Sequence, residues 1–188
     1  MTDKRILKTR AAVKQALLEI LESKHLSDVS VSELSAAAGI SRSTFYCNYQ
    51  NVQEVFEALI SDFLDETRGL RTQLRCKGCQ DNALDNKTPF CVAVRKAGRY
   101  QNVVRETGFL PALLNIINSG VRGTYAQAPY LERGLSPHVA ENLVSFQMAG
   151  CYTAALAGGN DKSWEATQAA IDTFIAGGLG AIREMKSE

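Results

Sequence analysis

The chain has 188 residues, of which 45% are hydrophobic and 22% charged, a composition typical of a soluble globular protein with one sizeable core or two small domains. Its net charge of +1 gives no global sign of nucleic-acid binding, and no apolar run approaches the length of a membrane span. The amino terminus lacks the apolar core of a signal peptide. We therefore expect a cytoplasmic protein whose five cysteines, an odd number, are thiols.

Basic residues cluster at the start of the chain, at Lys4, Arg5, Lys8 and Arg10. A first helix is predicted to open near Thr9 and to run to about residue 24, with apolar residues along one face. The basic cluster is either a solvated terminus or a set of phosphate contacts. Its position just ahead of the pattern described next favours phosphate contacts.

Residues 30–49 predict two short helices joined by a tight turn. Ser30 and Glu33 have the spacing of a capping box, in which each residue satisfies a backbone N–H of the other. Gly39 supplies the left-handed residue that ends the first helix, and Ser41 is the N-cap of the second.

The second of these helices has one buried stripe, formed by Phe45 and Tyr49. The residues left for its other faces are Arg42, Ser43, Thr44, Tyr46, Cys47 and Asn48. An ordinary helical hairpin would account for the turn alone. A short helix with this polar surface suits the major groove of DNA.

With the pattern ISRSTFY after the glycine, residues 30–59 resemble the TetR/AcrR family of bacterial transcriptional regulators. The resemblance implies an all-α fold with an N-terminal three-helix helix-turn-helix DNA-binding domain, residues 1–50. It implies a C-terminal helical ligand-sensing and dimerisation domain, residues 51–188, whose first helix, residues 51–67, links the two. The expected DNA-binding set is Lys4, Arg5, Lys8, Arg10, Ser30, Ser41, Arg42, Ser43, Thr44, Tyr46, Cys47 and Asn48.

The middle of the chain reads as a series of helices after Asn51, which is predicted to cap the linking helix. Residues 75–87 read as a loop, and Pro89 suits the first turn of the following helix. A short helix is expected over residues 100–106 and another over residues 110–121. Residues 125–134 read as irregular.

Two long helices end the chain, the first opened by Ser136 and Pro137 and the second capped by Ser163. Both are rich in alanine and glycine, which inside a helix indicates close approach of backbones, since each glycine costs roughly 1 kcal/mol relative to alanine. The approach can lie within one subunit or between two. The resemblance favours a four-helix seam in a homodimer, and two copies would read a pseudo-palindromic operator in double-stranded DNA.

The resemblance also implies a small-molecule cavity in the C-terminal domain. The candidate lining is Phe90, Val94, Tyr100, Phe109, Leu113, Ile117, Phe146 and Tyr152. A plain bundle core uses the same residue types, so the sequence does not separate the two.

Cys76 and Cys79 form a CxxC motif, and Cys91 follows it, which would suit a redox switch or part of a zinc site as well as incidental thiols. No phosphate loop, HExxH motif or nucleophile elbow is present, so we expect neither an enzyme nor a cofactor.

These patterns together predict a ligand-responsive transcriptional regulator, a repressor that releases its operator on binding a small molecule. One alternative is a thiol-based redox sensor on the same fold. The other is a dimeric interaction module with a degenerate DNA-reading head. It is motivated by Cys47, Asn48 and Val52, where members of the family usually carry larger or basic side chains.

Overall fold

The computed structural model describes residues 4–67, 90–157 and 161–184. Over these ranges the chain is all-α, as predicted, with ten α-helices, two short 3-10 turns and no strand. The helices are α1 Lys4–Ile20, α2 Val31–Ala37, α3 Arg42–Tyr46, α4 Val52–Thr67, α5 Phe90–Arg95, α6 Gln101–Arg105, α7 Phe109–Asn118, α8 Gly120–Leu131, α9 Pro137–Leu156 and α10 Asp161–Glu184. The 3-10 turns are Leu26–Asp28 and Gly98–Tyr100. None of the helices in these ranges is both long and apolar enough to cross a membrane.

The chain divides into two compact units that alternate along the sequence. The amino-terminal unit comprises Met1–Phe63 and Ala97–Leu113, and the carboxy-terminal unit comprises Leu64–Lys96 and Leu114–Glu188. Helices α4 and α7 each begin in the amino-terminal unit and continue into the other. The predicted boundary after residue 50, between a DNA-binding domain and a ligand-sensing domain, concerns function and not compactness. It stays a prediction.

Large apolar side chains from distant parts of the sequence fill the core of the amino-terminal unit. Helix α1 packs on α2, and α2 packs on α3, with Leu17, Leu34 and Phe45 fully buried among them. The ring of Phe63 in α4 lies edge-on to Tyr100 and Phe109, with centroid distances of 5.7 and 6.1 Å. Edge-on pairs of this kind are favourable beyond the area they bury. The second segment of the unit therefore completes a core that the first segment begins.

Helix α9 is central to the carboxy-terminal unit, where it packs against α5 and α8. Its buried positions include Ala140, Val144 and Met148, which recur at the four-residue spacing of one helix face. Inside this core the Tyr130 hydroxyl donates a hydrogen bond to Gln147 Oε1, so the buried amide has a partner.

The start of α10 contacts α5 through a cation–π interaction, in which the Arg95 guanidinium carbon lies 4.7 Å from the centre of the Trp164 ring. Ser163, the expected cap of this helix, lies inside it, because α10 begins at Asp161. The Ser163 carbonyl accepts from the Thr167 hydroxyl at 2.9 Å, as a residue within a helix does.

The sequence was also wrong about residues 125–134, most of which belong to α8. Ala126 and Tyr130, four residues apart, are both buried, and this packing outweighs the local preference of a glycine- and proline-containing segment for a loop. Helix α7 ends at Asn118 because the chain turns there. A Cβ on Gly123 would lie 2.7 Å from the Asn118 carbonyl oxygen, so the junction requires glycine.

Candidate nucleic-acid interface

The start of α2 is capped by Ser30, as predicted. Its hydroxyl oxygen accepts from the Glu33 backbone N–H at 3.1 Å, which satisfies one of the free donors of the first turn. The second half of the expected capping box is replaced. The Glu33 carboxylate accepts from Lys24 Nζ at 2.6 Å, which connects α2 to the end of the preceding turn.

The turn between α2 and α3 is closed by a Schellman motif. Gly39 has φ +65°, the left-handed conformation expected from the sequence. The Ile40 N–H donates to the Ser35 carbonyl at 3.0 Å, and the Gly39 N–H donates to the Ala36 carbonyl at 3.1 Å. The bend that separates the two helices is therefore fixed by backbone hydrogen bonds.

Helix α3 is short, and it is anchored at its first turn and through one aromatic ring. Ser41 Oγ accepts from the Thr44 N–H at 3.1 Å, and the two hydroxyls are 2.9 Å apart. Phe45 is fully buried, whereas Tyr46 is 59% exposed, and their rings meet edge to face with centroids 5.7 Å apart. The helix therefore packs through one side and presents polar groups on the other.

Most of the side chains expected to read DNA are exposed in this structure. Ser30, Ser41, Arg42, Ser43, Tyr46 and Cys47 are exposed, and Thr44 is half-buried. The Arg42 guanidinium donates to Ser32 Oγ at 3.2 Å, so in the free protein it lies against the first turn of α2.

Asn48 is a correction to the sequence analysis, which placed it on an exposed face. The structure buries its side chain, and Nδ2 donates to the Thr44 carbonyl at 2.8 Å. The reason is that α3 ends at Tyr46, so the chain has already turned inward when it reaches Asn48. Its amide therefore closes the end of the helix and faces away from solvent.

Four basic residues of α1, Lys4, Arg5, Lys8 and Arg10, are exposed. Arg10 in addition contacts the end of the helix–turn–helix. Its Nη2 donates to the Asn48 carbonyl at 3.1 Å, and its guanidinium carbon lies 5.3 Å from the centre of the Tyr49 ring.

Tyr49, the second residue of the predicted buried stripe, is 4% exposed and lies in a charged neighbourhood. Burial raises the pKa of its hydroxyl from 10.0 to about 12, because the phenolate would lose its hydration. Asp62 and Glu54 act in the same direction, while the positive charge of Arg10 acts against them.

No protein-family profile matches the chain. An HTH-type transcriptional regulator of Bacillus subtilis strain 168, the uncharacterized YxbF, is 32% identical over 59 residues. That match covers 31% of this chain and 16% of YxbF, so the chain spans only a small part of this relative. The crystal structure of a TetR family repressor, AlkX from Dietzia sp. strain DQ12-45-1b, implicated in biodegradation of n-alkanes, aligns over 94% of both chains with 20% identity and a TM-score of 0.39.

Over those 59 residues the chain is similar to an HTH-type transcriptional regulator. The structure itself has an all-helical architecture over the described ranges and a capped helix–turn–helix at residues 30–49. The side chains expected to line a ligand cavity are divided between the two units. Phe90, Val94, Ile117 and Tyr152 are buried in the carboxy-terminal unit, and Tyr100, Phe109 and Leu113 are buried in the amino-terminal unit.

Phe146 is a second correction, because it is 67% exposed and so does not line an interior cavity of the protomer. The sequence could not show this, since an apolar position on a long helix serves a core and an intersubunit surface equally well. Tyr152 does lie inside, and burial raises the pKa of its hydroxyl. A ligand cavity built from the remaining residues stays a prediction.

The chain has a cleft that the sequence did not reveal, with a volume of about 550 Å³. Its lining belongs to the amino-terminal unit: His25, Leu26, Ser27, Val52, Gln53, Glu106, Thr107 and Gly108. The buried Glu106 carboxylate accepts from the Leu26 N–H at 3.2 Å, and its other oxygen lies 3.4 Å from His25 Nδ1. These groups are 80 positions apart, and no local pattern in the sequence connects them.

Cys76 and Cys79 lie outside the described residues. Cys91 is buried and Cys47 is exposed. Across the ranges that the structure describes, no cluster of three or more histidine, cysteine or acidic side chains could hold a metal ion.

Proposed function

We propose that the chain is a dimeric transcriptional regulator of the TetR type, which binds DNA through α3 and responds to a small molecule, acting as a repressor. The observation that carries the proposal is the construction of α3. A five-residue helix is capped by Ser41 and anchored by Phe45, and it exposes Arg42, Ser43 and Tyr46. An exposed arginine, hydroxyl groups and an aromatic ring are groups that pair with base edges and phosphates in a major groove.

The basic start of α1 supports the same assignment. Lys4, Arg5 and Lys8 are exposed on the same compact unit as α3, and they would contact the phosphate backbone beside the groove. Contacts of this kind set affinity and register without reading sequence. Specificity would come from α3.

Dimerisation is supported by apolar surface on the last two helices. Phe146 on α9 and Phe174 on α10 are 67% and 69% exposed, so each leaves most of a large apolar ring in solvent. A Cβ added at Gly150, Gly177 or Gly178 would meet no atom within 4 Å outside the nearby backbone of its own helix. These glycines are therefore not explained by packing inside the described protomer. A second copy would cover both phenylalanines and would use the space beside the glycines.

The proposed release by a ligand would use the two helices, α4 and α7, whose residues belong partly to each unit. A ligand that favours one arrangement of the carboxy-terminal unit would change the spacing of the two reading heads. The operator would then no longer meet both heads at once.

The decisive experiment is selection of bound sequences from a pool of random duplex DNA. We expect enrichment of a pseudo-palindrome whose half-sites are centred about 10 base pairs apart or a multiple of that distance. Binding should weaken steeply as salt rises. Failure to retain any duplex even at low salt would overturn the proposal and would favour a dimeric interaction module instead.

A further inference from the structure

Arg10 in α1 contacts Asn48, just beyond the end of α3, although the two residues are 38 positions apart in the sequence. Its guanidinium carbon lies over the Tyr49 ring, 5.3 Å from the ring centre, and its Nη2 donates to the Asn48 carbonyl at 3.1 Å. Asn48 and Tyr49 are both buried, so this contact is made at the boundary of the core.

The contact restrains the segment that leaves α3, because the Asn48 carbonyl lies just beyond Tyr46, the last residue of the helix. A positive charge near the end of a helix is also favourable. A helix of five residues is also far too short to keep its direction alone. Ser41 caps the start of the helix, and the buried Phe45 packs it against the core. Hydrogen bonds from the Asn48 amide and the Arg10 guanidinium stabilise the segment at its end.

We propose that Arg10 is a positioning residue that orients the reading helix, and that it is not one of the phosphate contacts. The inference rests on the proposed function, because it assigns the role of one residue at the same DNA-binding site. It separates Arg10 from Lys4, Arg5 and Lys8, with which it is grouped in the sequence. A planar guanidinium can stack on a ring and donate in its plane at once, whereas an ammonium group cannot reproduce that geometry.

The test compares Arg10→Ala with the matched control Lys8→Ala, using the operator found by selection and an unrelated duplex. For Lys8→Ala we expect the slope of log K against log salt to fall by about 1, with the same loss of affinity for both duplexes. For Arg10→Ala we expect an unchanged slope and about a tenfold loss for the operator alone, because a misdirected helix loses base contacts first. Arg10→Lys should keep the slope and should not restore the operator preference.

A second measurement needs no DNA. Amide hydrogen exchange over residues 42–49 should become faster in Arg10→Ala and stay unchanged in Lys8→Ala, since only the first variant loosens the exit of α3. Circular dichroism checks that both variants remain folded.

The inference is overturned if Arg10→Ala lowers the salt slope as Lys8→Ala does, or if Arg10→Lys restores operator preference. It is also overturned if Arg10→Ala lowers only thermal stability and leaves both exchange and operator preference unchanged. A failure of the proposed function is recognised separately, because the unmodified protein would then select no DNA sequence. In that case the role of Arg10 in reading DNA falls with it.

Discussion

Arg42 is bonded to the protein before any DNA arrives, through its 3.2 Å contact with the Ser32 hydroxyl. To read a guanine, or to bind a phosphate, the guanidinium must exchange that hydroxyl for the new acceptor. Because both residues are exposed, the exchange costs little, and a bidentate contact to a base is worth about 1–3 kcal/mol.

We therefore predict that Arg42→Ala weakens operator binding by about 1–3 kcal/mol, measured by gel shift or fluorescence anisotropy. The control is Ser32→Ala, which removes the partner in the free state and leaves the guanidinium available. This variant should bind the operator at least as well as the parent. Unchanged affinity in Arg42→Ala would exclude a reading role for this side chain.

Tyr49 makes stability depend on pH in the alkaline range. Its pKa is raised from 10.0 to about 12 in the folded chain, so between these values the unfolded state loses the proton first. The raised pKa therefore leaves stability intact below pH 10 and lowers it progressively as pH rises toward about 12. The loss attributable to this group should reach the order of 2 kcal/mol at the top of that range.

The measurement is urea unfolding at pH 9 and near pH 11.5, for the parent and for Tyr49→Phe. Phenylalanine keeps the ring under Arg10 and removes the proton, so the difference between the two proteins isolates Tyr49 from the other titrating groups. Parallel loss of stability in both would contradict the raised pKa.

The boundaries of the short helices within residues 30–49 were predicted well, because the groups that cap them lie close by in the sequence. Ser30, Gly39, Ser41 and Asn51 each act on neighbours within a few residues, and the Asn51 carboxamide accepts from the Glu54 N–H at 2.8 Å as expected. Prediction failed where the end of a helix depends on residues that are far away in the sequence. The inward turn of Asn48 depends on the core beneath it, and Arg10 joins it from α1.

The cap of α3 is open to a direct test. Ser41→Ala removes the acceptor for the Thr44 N–H, so it should lower the free energy of unfolding by about 1 kcal/mol. Ser41→Gly should cost only a few tenths of that, because water then reaches the free donor. Ser43→Ala, an exposed neighbour without a capping role, should be close to neutral. Equal losses in Ser41→Ala and Ser43→Ala would contradict the capping role.

The last two helices carry a prediction about assembly. We expect Gly177→Leu to yield monomers with normal helicity, because its Cβ meets open space in the protomer and would obstruct a close seam between copies. Operator affinity should fall far more than for a single lost contact, since the two reading heads would no longer be linked.

Light scattering measures the mass of Gly177→Leu, and circular dichroism measures its helical content. Gly177→Ala is the matched control, and its smaller side chain should leave the dimer in place. If Gly177→Leu remains dimeric, the seam lies elsewhere on the surface. If it unfolds, the glycine serves a contact within the subunit.

The class of fold was predicted from the sequence, whereas the division of the chain into two compact units that alternate along it was not anticipated. Hydrophobic periodicity shows that α4 and α7 are amphipathic, but it does not show which partner each face meets. The contacts of Phe63 with Tyr100 and Phe109 join the linking helix to a segment much further along the chain, and no local pattern in the sequence predicts them. Phe146 is exposed in the protomer, so the surface that would cover it belongs to another copy and is not visible in the sequence of one chain.

The interleaving of the amino-terminal unit has a consequence for the order of events during protein synthesis. A ribosome delivers α1 to α4 before Ala97–Leu113, the segment that supplies Tyr100, Phe109 and the Glu106 carboxylate. Until residue 106 has been synthesised the Leu26 N–H lacks its acceptor, and until residue 109 has been synthesised Phe63 lacks its second aromatic partner. A truncated chain ending at residue 67 would carry every residue proposed to touch DNA, yet it would expose that unfinished core. The nascent chain therefore cannot complete the core of the amino-terminal unit until the segment Ala97–Leu113 has been synthesised.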